Sequence, residues 1–141
     1  MNKRRLLKLA DLLEADAKNK NGIKFNLKTW GDVRNEASPL SCGTTACALG
    51  LAALSGKFRR AGLGYHIAHG GLQITSMGSS GEIGAAMEVF DLYFREALWL
   101  FLPFAYGRLP KTKAAGERIV AKRIRDFVAA KLSHSDIGHR T

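Results

Sequence analysis

From Ala46 to Leu54 the chain reads ACALGLAAL, a run of nine residues with no charged or strongly polar side chain. Its alanines and leucines favour a helix, and the run is longer than most strands. Ser41, Thr44 and Thr45 are candidate N-caps ahead of it, and Gly56 is a candidate stop. A helix between these limits is apolar on every face, so it has to be enclosed by the rest of the fold. Ala46, Ala48, Gly50, Ala52 and Ala53 keep its surface low and let neighbouring backbones come close. Lys57, Arg59 and Arg60 follow where cations favour the helix dipole.

The cover has to come from a chain of 141 residues, the size of one domain. Leu6, Leu9, Leu13 and Ala17 recur at spacings of three and four while Lys8, Asp11 and Lys18 take other faces, which predicts an amphipathic helix over 3–18 halted by Asn21-Gly22. Ile23, Phe25 and Leu27 then alternate with Lys24, Asn26 and Lys28, predicting a short extended segment. Asp32 to Ser41 reads as a loop, with Pro39 turning Ser38 away from helical geometry.

Further on, Tyr65 to His69 and Leu72 to Thr75 flank Gly70-Gly71, the pattern of a hairpin with a two-residue turn that places Ile67 opposite Ile74. Tyr65, Ile67, His69, Leu72 and Ile74 share the face expected to be buried. Ser79-Ser80-Gly81-Glu82 has the form of a capping box opening a helix through Ile83, Met87 and Phe90, ended by Asp91. Gly78 to Gly84 also suits backbone N–H contacts to a phosphate, although it lacks the Gly-Lys-Ser/Thr ending of a P-loop. A second helix through Phe94, Ala97, Leu98, Phe101 and Leu102 stops near Pro103. Thr112 caps a last helix to about Leu132, with Val120, Ile124, Phe127 and Val128 inward and Arg118, Lys122 and Arg125 outward. Trp30, Trp99 and Phe101 occupy apolar positions that read as core.

The fold class expected is mostly α with a small antiparallel β-hairpin (α+β): a single α-rich domain over 1–132, built around the alanine-rich helix, and a flexible tail over 133–141. Lys8, Asp11 and Glu14 interrupt any signal-peptide core, and the apolar run Ala97 to Tyr106 is half the length that crosses a bilayer. Two cysteines with four residues between them suit a reducing compartment, and the expected location is the cytoplasm of a bacterial host.

Charge supplies the first functional pointer. The net charge is +10, carried by the two ends: residues 1–60 sum to +7, 61–110 to −2 and 111–141 to +5. If the first and last helices pack together, Lys3, Arg4, Arg5, Lys8, Arg118, Lys122 and Arg125 form one basic face able to neutralise a nucleic-acid backbone or meet an acidic protein. No helix-turn-helix, zinc-finger or RNA-recognition pattern accompanies it, so base readout has no evident source.

The second pointer is Ser41-Cys42-Gly43-Thr44-Thr45-Ala46-Cys47-Ala48-Leu49-Gly50. This segment resembles the CGTxACALG motif of small uncharacterised bacterial and phage proteins, in which it follows a tryptophan-containing stretch (here Phe25 to Gly31) and precedes a closing helix of Val-Ala-x-Arg-Ile type (here Val120 to Ile124). The resemblance implies a phage or prophage setting and brings no catalytic residue or cofactor with it. Cys42-Gly43-Thr44-Thr45-Ala46 also resembles the Cys-Gly-Pro-Thr-Ala nucleophile segment of papain-like bacteriocin-processing cysteine peptidases, with threonine in place of proline. That likeness implies Cys42 as nucleophile, with His66 as base and Gln73 orienting it. Only 23 residues separate Cys42 from His66, little room for such a fold. Cys42, Cys47, His66 and His69 offer two sulfurs and two nitrogens to a metal, yet histidines three apart on a strand point to opposite faces. The reading preferred on these grounds is a non-enzymatic accessory protein that uses no cofactor and binds through its basic surface.

Overall fold

The computed structural model describes residues 1–19, 23–33, 44–69, 71–78 and 81–138, with 132–138 given by their backbone alone. Among the described residues, five α-helices and a five-stranded mixed sheet make up an α+β architecture. No helix among the described residues is long and apolar enough to cross a membrane.

Helix α1 (Lys3–Ala17) begins where Asn2 Oδ1 accepts the Arg5 N–H at 3.0 Å, and it buries Leu6, Leu9, Ala10 and Leu13. It ends ahead of Asn21-Gly22, which lie outside the described residues. Helix α2 (Ala48–Ser55) is the enclosed element that its composition requires, with every residue except Ser55 buried. It starts later than the sequence suggests, because Thr45–Ala46 is a strand and Cys47 is the cap, its Sγ accepting the Gly50 N–H at 3.5 Å. A Cβ on Gly50 would lie 1.8 Å from the carbonyl oxygen of Trp30, so only a glycine lets this helix seat against that loop. Gly56, at φ 72°, closes the helix.

The strands are β1 (Lys24–Phe25), β2 (Gly31–Asp32), β3 (Thr45–Ala46), β4 (Gly64–Ala68) and β5 (Gly71–Thr75), in the order β1-β3-β2-β5-β4. Among the described strands, β1 and β3 pair in parallel and the other pairs are antiparallel. Lys24, Thr45, Asp32, Gly71 and Ala68 form one row across all five strands, and Phe25, Ala46 and Gly31 belong to the adjacent row on the opposite face. Leu72 fills the space over Gly31.

The β4–β5 pair departs from the expected hairpin register. Tyr65 faces Ile74, Ile67 faces Leu72 and Ala68 faces Gly71, so Gly71 belongs to the strand and not to the turn; Gly70 lies outside the described residues. A slip of two residues keeps each side chain on its face, and Leu72 and Ile74 are buried as the alternation requires. His69, however, leaves that face: it sits in the turn at φ 53°, exposed.

Helix α3 (Glu82–Phe90) has Gly81 as its N-cap, so Glu82 opens the first turn and is not the third residue of a capping box. Asp91, at φ 53°, ends it. Helix α4 (Phe94–Phe101) follows, stopped by Pro103. Helix α5 (Lys113–Gly138) continues six residues beyond Leu132, into the segment expected to be a tail. Its first turn is capped by Thr112 Oγ1, which accepts the Ala115 N–H at 3.2 Å.

Helices α1 and α5 lie against each other, and polar groups fix their alignment. Arg125 Nη2 donates to Asp11 Oδ1 and Glu14 Oε1, each at 2.6 Å, and its Nε donates to Glu14 Oε2 at 3.1 Å. At the other end Lys113 Nζ donates to the carbonyls of Asp16 and Asn19 at 2.8 and 3.0 Å and lies 2.9 Å from the Asp16 carboxylate. Glu117 is 0% exposed, with Oε1 at 3.5 Å from the same ammonium. Burial, and then the adjacent Asp16 carboxylate, push the Glu117 carboxyl up to about 9 against the opposing pull of Lys113.

Candidate nucleic-acid interface

The basic face expected on the terminal helices is assembled in part and spent in part. The two helices do meet, but Arg125 is held by Asp11 and Glu14, whose proximity raises its pKa and lowers that of Glu14. Lys122 pairs with Asp126 at 2.7 Å, both exposed. Arg5 Nη1 donates to the Val89 carbonyl at 2.8 Å, and Lys8 Nζ donates to the Lys57 carbonyl at 2.8 Å while lying over the Phe58 ring. Lys3, Arg4 and Arg118 are exposed and have no recorded partner among the described residues. The surplus of positive charge on α1 and α5 is thus thinned by carboxylates that the sum over the sequence counts but cannot place.

A second basic feature is formed where β1 meets the segment that leads into α5. Phe25 lies against Gly116, where a Cβ would come within 2.9 Å of its ring, and this contact sets β1 beside α5. Leu109 and Pro110 run past the same strand, and between them opens a groove of about 470 Å³. Lys24, Lys28 and Lys111 line it, with Asn26 and Thr45, while Phe25, Leu109 and Pro110 supply its apolar surface. No acidic residue lines it among the described residues, and none of the three lysines has a recorded ion-pair partner there. A smaller recess of about 60 Å³ extends from it toward Thr112 and Gly116. Asp32 stands one strand beyond Thr45 in the same row and is the acidic side chain nearest along the sheet. The alternation of Lys24, Asn26 and Lys28 with apolar neighbours was a signal for half of this groove; Lys111, distant in sequence, carried none.

The other candidate residues do not converge. Cys42 lies outside the described residues. His66 and Gln73 face each other across β4 and β5, both exposed. Cys47 is buried and free, and burial raises its thiol to about 11, far from a reactive thiolate at neutral pH. His66 and His69 are exposed while Cys47 sits in the core, and no group of three or more histidine, cysteine, aspartate or glutamate side chains is placed to hold a metal among the described residues. The segment considered for phosphate contact has its Gly78 N–H occupied by the Glu88 carboxylate, at 3.1 and 3.2 Å. Comparison with family models, curated proteins and solved structures found no match for this chain.

Trp99 corrects a further expectation. It is 49% exposed, and the Arg123 guanidinium is stacked between its ring and that of Tyr106, 3.9 and 3.7 Å from the ring centroids. Arg123 also donates to the carbonyls of Trp99 and Ala105 at 3.0 and 2.8 Å, so this cation serves to join α4 and α5. Phe101 is buried and Trp30 half-buried.

Proposed function

We propose that this protein binds nucleic acid without catalysis, through the groove bordered by Lys24, Lys28 and Lys111. The observation that carries the reading is three lysines, none with a recorded carboxylate partner, converging on one concave surface. Lysines that border a concavity focus the field more than the same charges spread over a convex helix, and they contribute to affinity by displacing counterions from phosphates. Lys3, Arg4 and Arg118 add long-range attraction to the encounter. The phage or prophage setting in a bacterial cell rests on the resemblance alone, carried by residues 41–50 with Phe25 to Gly31 and Val120 to Ile124.

Fluorescence anisotropy of a labelled oligonucleotide at low salt tests the reading. The triple variant Lys24→Gln, Lys28→Gln, Lys111→Gln is expected to bind at least about tenfold more weakly, and Lys3→Gln, Arg4→Gln, Arg118→Gln about two- to threefold, in line with removing close and distant phosphate contacts respectively. No binding by the unmodified protein, or equal losses in the two triple variants, overturns it. Binding to an acidic protein in place of any oligonucleotide would overturn it too.

A further inference from the structure

Resting on that reading, we infer that the groove takes single-stranded nucleic acid, with phosphates on the lysine rim and a base on the apolar surface formed by Phe25, Leu109 and Pro110. A duplex hides its base faces in the stack and offers two convex phosphate ridges, so it is met by a protruding helix, hairpin or basic face. Here the cations border a slot, and the convex faces of α1 and α5 have several of theirs tied down, Arg125 by Asp11 and Glu14 and Lys122 by Asp126.

The slot also has the composition that an unpaired strand requires. Its volume of about 470 Å³ falls in the range of pockets that enclose small organic ligands, comparable to a nucleotide. Phe25 is half-buried against Gly116 and contributes to the lining of the groove. An aromatic surface beside a lysine rim is the combination by which proteins hold single strands with little sequence preference, since every base has a π-face. Asn26 and Thr45 add hydrogen-bonding groups beside the lysines. Three lysine–phosphate contacts on a single strand predict that log K falls with log salt at a slope of about −2.

The test compares a labelled dodecamer of thymidine with its duplex against dodeca-adenosine by anisotropy at low salt, using the full chain. The single strand is expected to bind at least about fivefold tighter, with the predicted salt slope. Phe25→Leu should weaken it several-fold while leaving the duplex affinity unchanged, and 2-aminopurine placed mid-strand should be quenched by the protein and not by that variant. Should Phe25→Leu disturb packing, Leu109→Asn and Lys28→Gln interrogate the same groove from its other wall and its rim. Equal or tighter binding of the duplex overturns this inference and leaves the groove reading standing. Failure of both oligonucleotides to bind overturns both.

Discussion

Glu117→Gln is the substitution through which the α1–α5 contact can be interrogated most directly. In the folded chain the carboxyl is enclosed, with Asp16 beside it, and keeps its proton up to about pH 9; in the unfolded chain it releases that proton near its ordinary value of 4.5. Folding between these limits therefore takes up a proton, so stability is greatest below about pH 4.5 for this group and declines as pH rises toward 9. A one-proton difference sets the slope at no more than about 1.4 kcal/mol per pH unit. From pH 5 to 8 the loss attributable to Glu117 is about 2–4 kcal/mol, the lower figure allowing for relaxation around Lys113. Glutamine reproduces the shape of the protonated acid and its amide can donate to Asp16, so the variant should lack this decline. Glu14 does not mimic the effect: its pKa is lowered by Arg125, so its contribution is present above the ordinary carboxylate value and disappears only on further acidification. Urea denaturation at half-unit intervals from pH 5 to 8 measures the difference, expected near zero at pH 5 and about 2–4 kcal/mol in favour of the variant at pH 8. Parallel stability curves for the two proteins would refute a proton held at Glu117.

Three other outcomes follow from packing and geometry. Gly50→Ala should cost about 3 kcal/mol or more, or prevent folding, because the new methyl meets the Trp30 carbonyl; an unchanged denaturation midpoint would contradict the close approach. In a Cys42→Ser background, Cys47 should resist iodoacetamide in the native protein and react only on denaturation, whereas rapid native labelling would show that the thiol is not enclosed. A double-mutant cycle on Glu14→Ala and Arg125→Ala should yield a coupling of about 0.5–1 kcal/mol, reduced by salt as expected of a half-exposed pair; a coupling near zero would mean that the ion pair does not fix the alignment of the helices.

The parts of this fold visible in the sequence are those whose cause is local. The three- and four-residue spacing of Leu6, Leu9 and Leu13 is a property of one helix, and the enclosure of α2 follows from its having no polar face. The hairpin faces were legible because alternation is local, but its register was not: Gly70-Gly71 is a good turn pair, yet Gly71 is paired with Ala68 on one side and with Asp32 of β2 on the other, a contact between segments distant in sequence. Alternation over Ile23 to Lys28 marked the segment that holds β1, whereas β2 and β3 are two residues each and exist through pairing with their neighbours, so no window of sequence contains their cause. The same distinction separates the two basic surfaces. The sequence shows which helices carry cations, but not that Asp11 and Glu14 face Arg125 across the contact, nor that Lys111 comes to lie beside Lys24 and Lys28.

The Lys113 tether has a consequence for how the polypeptide matures. Its ammonium grips the end of the first helix from a position nearly a hundred residues later, so Leu6, Leu9 and Leu13 lack part of their final neighbours until the segment after Thr112 has been translated. A nascent chain arrested before that point would display an uncovered leucine stripe to chaperones and proteases, and completion of synthesis would be the event that conceals it.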